Sequence, residues 1–211
     1  MAVITCIEDL RRLHRRRAPR MFYDYVDGGA WNEATYRANE AAWQELRFRQ
    51  RVGVDIEHRD VSSTLLGQPV AMPVALAPVG LAGMQYAAGE ILAARAAERF
   101  GVPFILSTMS ICSVEDVAAH VTGPFWFQLY LMRDREFSAD LIARAAKAGC
   151  SALVLTMDLN IHGKRHKEAR NGLTVPPRPT PAAVLDLMRR PAWCLDMLRC
   201  PTAPSATSWA A

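Results

Sequence analysis

Between residues 74 and 156 short apolar runs alternate with helical periods. The runs Val74–Ala77, Phe104–Leu106, Phe125–Leu129 and Leu153–Thr156 are apolar nearly throughout, the pattern of strands buried on both faces. Helical stretches lie between them. Glu90–Phe100 carries Ala93, Ala96, Ala97 and Phe100 on one expected face and stops at Gly101. Ser113 caps a short helix, with Asp116 three residues on. Asp134–Ala148 is apolar at Phe137, Leu141, Ala145 and Ala148, charged at Asp140, Arg144 and Lys147, and ends at Gly149. Such repeats predict a parallel sheet with right-handed crossovers. Two closures fit, an open doubly wound sheet and a (β/α)8 barrel. The loop after the first strand lacks G-x-G-x-x-G, which weighs against a dinucleotide fold.

The flanks read differently. Residues 1–50 predict helices: one capped by Thr5 with Glu8 at the capping-box position and stopping near Pro19, one over Met21–Val26 ended by Gly28-Gly29, and one over Asn32–Leu46 with Tyr36, Asn39 and Trp43 on a stripe. Phe22, Tyr23 and Tyr25 of the second cannot all face one way. Residues 51–72 read as irregular or short strands. After Asp158 come a polar, basic loop over 159–172, a Pro-rich stretch over 173–181, a short amphipathic helix over Ala182–Arg190, and a small, polar end over Cys200–Ala211. No charge occurs between Asp60 and Glu90, so Pro73–Gly83 is expected to be enclosed by protein. Pro69, Pro73 and Pro78 with Gly80 and Gly83 would break a membrane helix there.

Composition narrows the class. With 211 residues, 51% hydrophobic and 22% charged, the chain has the balance of a one-domain globular protein able to bury a core. The net charge of +4 is too mild to imply nucleic acid, and the run Arg15–Arg17 reads as a solvated helix face. Cys6, Cys112, Cys150, Cys194 and Cys200 form no C-x-x-C, so neither a disulfide framework nor a zinc site is indicated. No apolar segment marks a signal peptide at the start, and the expected compartment is the cytoplasm.

Polar residues cluster where strands end: Ser107, Gln128, Tyr130, Thr156 and Asp158. A barrel gathers its site at that end. A flat heteroaromatic ring needs a backbone edge, a hydroxyl and an amide, which Pro78, Ser107, Gln128 and Thr156 would supply; each alone also reads as a satisfied core or cap residue. Tyr25, Tyr130 and Arg165 offer phenolic donors and a guanidinium fork for a small carboxylate. From its charged surroundings alone, Arg165 reads as a solvated surface arginine. His162 and His166 have i, i+4 spacing, but Gly163 weakens a helix there and no H-E-x-x-H occurs, so no metal is expected.

Five blocks carry a family resemblance: PRMFYDYVDGGA at 19–30, MPVALAPVGLAGM at 72–84, LSTMSICSVEDVA at 106–118, FWFQLYLMRDR at 125–135 and LTMDLNIHGKRHKEARNGL at 155–173. Together they resemble the FMN-dependent α-hydroxy-acid dehydrogenase and oxidase family over about residues 5 to 199, and VGLAGM and STMSICSVEDV are most similar to its L-lactate dehydrogenases. The resemblance implies a TIM (β/α)8 barrel, here incomplete with about four strands and preceded by N-terminal helices. It implies FMN, with Ala77, Pro78, Val79 and Gly80 along the N5 edge of the flavin and Ser107, Gln128 and Thr156 bonded to the isoalloxazine ring. Tyr25 and Arg165 match substrate-carboxylate ligands, and Tyr130 matches the active-site tyrosine near the substrate hydroxyl. The implied reaction is oxidation of an L-2-hydroxy acid to the 2-oxo acid, with a quinone, a cytochrome or oxygen as electron acceptor. Family members are often homo-oligomeric, and a position at the cytoplasmic membrane face is compatible with the family.

The resemblance also implies parts without a counterpart in this sequence: a lysine near flavin N1, the histidine base and arginine of an S-N-H-G-G-R-like motif, and a glycine-rich phosphate loop. Lys164 and His162 sit in the wrong loop to replace them. The chain alone is therefore expected to be inactive, or to act as a non-catalytic half-barrel that assembles with a separately encoded C-terminal half. The resemblance stops near Cys200. One back-translation of Ala203–Ala210, shifted by two bases, reads as a family-like continuation, so residues 1–199 are expected to be the N-terminal half of the domain and 200–211 a frameshifted tail.

Overall fold

The computed structural model describes residues 3–158, 161, 163–173 and 180–200. In chain order the elements are α1 (Ile7–Arg17), α2 (Arg20–Val26), α3 (Ala34–Glu45), β1 (Ser63–Leu65), β2 (Gln68–Val70), α4 (Ala82–Gln85), α5 (Gly89–Phe100), β3 (Ile105–Ser107), α6 (Val114–Ala118), β4 (Trp126–Tyr130), α7 (Arg135–Lys147), β5 (Ala152–Thr156), α8 (His166–Asn171), α9 (Pro181–Met188) and α10 (Pro191–Arg199). They form two compact units, Met1–Asp60 with Ile161–Cys194, and Val61–Asn160 with Leu195–Ala211.

The first unit is helical. Its opening helix is capped one residue later than expected. Cys6 is the N-cap and Asp9, not Glu8, closes the box. The Asp9 carboxylate accepts from Thr5 N at 2.9 Å and Thr5 Oγ1 at 2.7 Å, and these donors hold it down to about 2. Thr5 thus serves the same helix start from outside it. The three aromatics of α2 diverge as expected. Tyr23 is buried, Phe22 stacks on Trp193 at 5.4 Å, and Tyr25 lies under the Arg165 guanidinium at 5.0 Å. Trp43 of α3 is exposed and does not join a buried stripe.

The second unit holds the sheet. β1 and β2 form an antiparallel hairpin turned through Leu66 and Gly67, both left-handed, a two-residue turn whose twist suits the flanking strands. β3, β4 and β5 are parallel and adjacent in chain order, and Leu76 bridges to Phe104 on the far side of β3. Each crossover therefore steps one strand in one direction. A doubly wound sheet reverses that order at a switch point, and no reversal occurs among these strands, as in an arc of a barrel wall.

The core lies between the outer face of this arc and its helices. Phe104, Leu106, Phe125, Phe127 and Leu129 pack with Ile91, Ala94, Ala97, Val114, Val117 and Ala145. Ser113 caps α6 reciprocally with Asp116, and Asp134 caps α7 through the Phe137 amide. Gly101, at φ +77°, ends α5 in the left-handed conformation that glycine adopts without strain.

Several expectations fail in this unit. Val74–Ala77 is not a buried strand: only Leu76 makes a bridge, and its side chain is 38% exposed. The segment is an edge, with β3 on one side, so an apolar run without charge is not enclosed here. At the other edge Leu153 and Leu155 are 46% and 44% exposed, because α7 packs over β4 and leaves the outer face of β5 half-covered. On α5 the buried stripe is Glu90, Ile91, Ala94 and Ala97, and Phe100 points to solvent. In the helical unit, the stretch 159–172 contains α8, closed by left-handed Gly172, and α10 begins after α9 where the sequence pattern predicts no helix. Residues 201–211, which include most of the proposed tail, lie outside the described residues, as does His162.

Candidate cofactor and substrate site

Strand alternation assigns the side chains of the arc. In β4, Phe127 and Leu129 face the helices, so Trp126, Gln128 and Tyr130 share the opposite face. Register brings Ser107 beside Gln128 and Thr156 beside Tyr130. The three expected ring-binding residues form one hydrogen-bonded row across three strands. Ser107 Oγ donates to Gln128 Oε1 at 3.3 Å, and Gln128 Nε2 donates to Thr156 Oγ1 at 2.9 Å. Gln128 is only 1% exposed, so both ends of its amide need such partners.

Thr108, which the sequence pattern did not single out, completes the row. Its amide donates to Gln128 Oε1 at 3.2 Å, its hydroxyl donates to the Gln128 carbonyl at 2.5 Å, and it accepts from the Tyr130 amide at 3.1 Å. Thr108 therefore holds the Gln128 side chain, the Gln128 carbonyl and the Tyr130 amide. A threonine directly after a strand-end serine was the available signal.

The loop Ala77–Gly80 runs along the same strand end. It leaves the bridge at Leu76 and returns where Leu81 N donates to Met109 O at 2.9 Å, just past Ser107. Ala77 and Val79 are exposed while Pro78 and Gly80 are half-buried. A second missed residue lies behind this loop. Glu90, 2% exposed, accepts through Oε1 from Gly83 N at 2.8 Å and Ile111 N at 2.9 Å. An acidic residue on the apolar i, i+4 stripe of α5 was the sequence signal for it.

In the helical unit, Tyr25 and Arg165 are brought together. Arg165 stacks over the Tyr25 ring, and its Nη2 donates to the Tyr25 carbonyl and, at 2.8 Å, to the Gly28 carbonyl. Its Nε pairs with Glu168 at 2.7 Å. Arg165 is thus half-buried and bonded, which corrects the reading of a solvated surface arginine. The flanks of this pair are stitched as well: Asn171 donates to Asp24 at 2.6 Å, Trp31 N donates to Lys164 O at 2.8 Å, and Lys167 meets Glu33 at 2.7 Å. The last contact lowers the Glu33 pKa and raises that of Lys167. Among the described residues no group of histidine, cysteine and carboxylate side chains is arranged to hold a metal ion.

The donor set fits the heterocyclic edge of a flavin. Thr156 accepts from Gln128 and keeps a hydroxyl proton to donate, and Ser107 keeps a lone pair, so a row of polar atoms and a backbone loop share one strand end.

The FMN-dependent dehydrogenase family matches residues 14–211. An L-lactate dehydrogenase of Caulobacter vibrioides is 45% identical over 195 residues, which are 92% of this chain and 51% of that protein. One of Alcaligenes faecalis is 44% identical over 174 residues, 82% of this chain and 46% of that protein. Among solved structures, the monotopic membrane protein (S)-mandelate dehydrogenase superposes with a TM-score of 0.91 at 35% identity, covering all of this chain and 56% of that one. A mandelate oxidase gives 0.77 at 32% identity, covering 90% and 60%. The chain spans about half the length of the curated relatives it matches. With nearly its whole length matched, the chain belongs to the FMN-dependent dehydrogenase family, and its parallel sheet is part of that family's barrel.

Proposed function

We propose that this chain carries the isoalloxazine side of an FMN site for oxidation of an L-2-hydroxy acid, L-lactate above others. The observation that carries the reading is the hydrogen-bonded row Ser107–Gln128–Thr156 beside the loop Ala77, Pro78, Val79 and Gly80. FMN bound there supplies the two-electron acceptor for loss of the Cα hydrogen and hydroxyl proton. Tyr130, at the end of the same strand face, directs its phenol toward the substrate hydroxyl. Tyr25 and Arg165 hold the carboxylate. Arg165 gives Nη2 to two backbone carbonyls and sets Nε beside Glu168, and Nη1 is the nitrogen proposed for the carboxylate. The electrons pass on to a quinone, a cytochrome or oxygen.

The general base and the phosphate loop are not among these residues, so the chain by itself binds the ring without turning over substrate. A second reading is favoured by the half-exposed Leu76, Leu153 and Leu155 at the two sheet edges: a half-barrel that assembles with a separately encoded second half. In that reading residues 1–199 are the N-terminal half of the domain. The proposed location is cytoplasmic and peripheral to the membrane. The peripheral position is supported by the exposed Val184, Leu185 and Met188 of α9. No helix among the described residues is long and apolar enough to cross a bilayer.

The test is complementation. The purified chain, mixed with FMN and the separately expressed second half of the Caulobacter L-lactate dehydrogenase, should reduce a dye with L-lactate, and neither piece alone should. Dye reduction by this chain alone, or none in the mixture, contradicts the proposal.

A further inference from the structure

The proposed flavin loop is not held by the strand that precedes it, which contributes a single bridge. Something else must fix Ala77–Gly80 against β3. Two contacts of note join the segment after Leu76 to the segment after Ser107. One is the Leu81 N to Met109 O bond at 2.9 Å. The other is Glu90, which reaches from the first turn of α5 and accepts the amides of Gly83 and Ile111 on one carboxyl oxygen. The second oxygen, Oε2, is buried without a hydrogen-bond partner. A packing residue has no need of a carboxyl group, and leaving a polar atom unpaired in the interior is costly. Here the unpaired oxygen belongs to the group whose other oxygen joins both loops.

The fit around this acceptor is tight. A Cβ on Gly83 would stand 2.7 Å from Ile111 Cβ and 2.8 Å from Glu90 Oε2. The absence of a side chain at 83 is what lets the two loops approach the carboxyl group together. From Ile111 the connection runs back to the polar row: Ser110 N donates to Ser107 O at 3.1 Å, and Met109 N donates to Ser107 Oγ at 3.1 Å. One buried group thus bears on both the backbone shelf and the first hydroxyl of the row.

We propose that Glu90 is a positioning residue for the flavin site, setting the spacing between the Ala77–Gly80 loop and Ser107 through the Gly83 and Ile111 amides. This rests on the flavin reading given above. Its role is the reach of one acceptor oxygen, not its charge, and that separates two conservative variants. Glu90→Gln keeps an oxygen at the same reach and removes the charge. Glu90→Asp keeps the charge and withdraws the oxygen by one methylene.

The experiment titrates FMN into the full-length chain and follows quenching of flavin fluorescence, with amide hydrogen exchange at Gly83 and Ile111 measured in parallel. Glu90→Gln should bind FMN within about threefold of the parent chain and keep both amides protected. Glu90→Asp should bind at least about tenfold more weakly and exchange both amides at least about tenfold faster. The reverse order, or Glu90→Asp indistinguishable from the parent in both measurements, overturns the role of Glu90 and leaves the flavin reading standing. A parent chain that does not quench FMN overturns the flavin reading. Exchange at Gly83 and Ile111 then still decides whether Glu90 sets the loops.

Discussion

Gln128 Nε2 donates to Thr156 Oγ1 at 2.9 Å across two parallel strands, while the other end of the same amide takes Ser107 and Thr108. A side chain so enclosed acts as a fixed spacer between strands. Gln128→Leu keeps the volume and strips partners from buried Ser107 and from half-buried Thr108 and Thr156. The expected cost is about 2–4 kcal/mol of unfolding free energy, read as a lower urea midpoint, together with loss of flavin binding. Wild-type stability in this variant would mean that the row is not a structural unit.

Arg165 illustrates a residue with two sets of partners. Nη2 donates to the Tyr25 and Gly28 carbonyls while Nε faces Glu168, a planar two-nitrogen arrangement that a lysine ammonium does not reproduce. Arg165→Lys should lower stability by about 1–2 kcal/mol and speed hydrogen exchange at amides of α8 and around Gly28. In the complemented enzyme it should also raise KM for L-lactate. An unchanged exchange pattern would show that the carbonyl contacts are dispensable.

The pair Arg144–Glu115 links α7 to α6 through two contacts of 2.8 Å. Arg144 holds the Glu115 carboxyl down to about 2 from an ordinary 4.5. The folded pKa is depressed, so the stabilisation is complete above about 4.5 and is lost as the pH falls through 2. The groups are partly solvated, and the pair contributes about 0.5–1 kcal/mol. The stability difference between the parent chain and Arg144→Met should therefore be present at pH 6 and reduced at pH 3. A difference that grows toward low pH would contradict the assignment.

Much of the barrel wall was legible because its signals are local. Ser113 and Asp116 announce a capped helix, Gly101 and Gly149 stop helices, and the runs at 104–107 and 125–130 have no competing period. What sequence could not give depends on neighbours. Val74 and Leu76, or Leu153 and Leu155, look like interior residues, yet they lie at sheet edges, and an edge is a property of strand order. α8 was hidden because its face is set by Asn171 and Lys167 meeting Asp24 and Glu33, residues more than a hundred positions away. Ser107, Gln128 and Thr156 were legible as strand-end polar groups. Thr108 and Glu90 act through backbone amides and carbonyls, which leave no pattern of residue types beyond a polar residue in an apolar setting.

The central claim is that this chain supplies contacts to the flavin ring and none to its phosphate. It is tested most directly by titrating the purified chain with FMN and with riboflavin, which lacks the phosphate, under the same conditions. The account predicts quenching of both with dissociation constants within about threefold of each other, and loss of both in Gln128→Leu. Binding of neither, or FMN bound far more tightly than riboflavin, would contradict it.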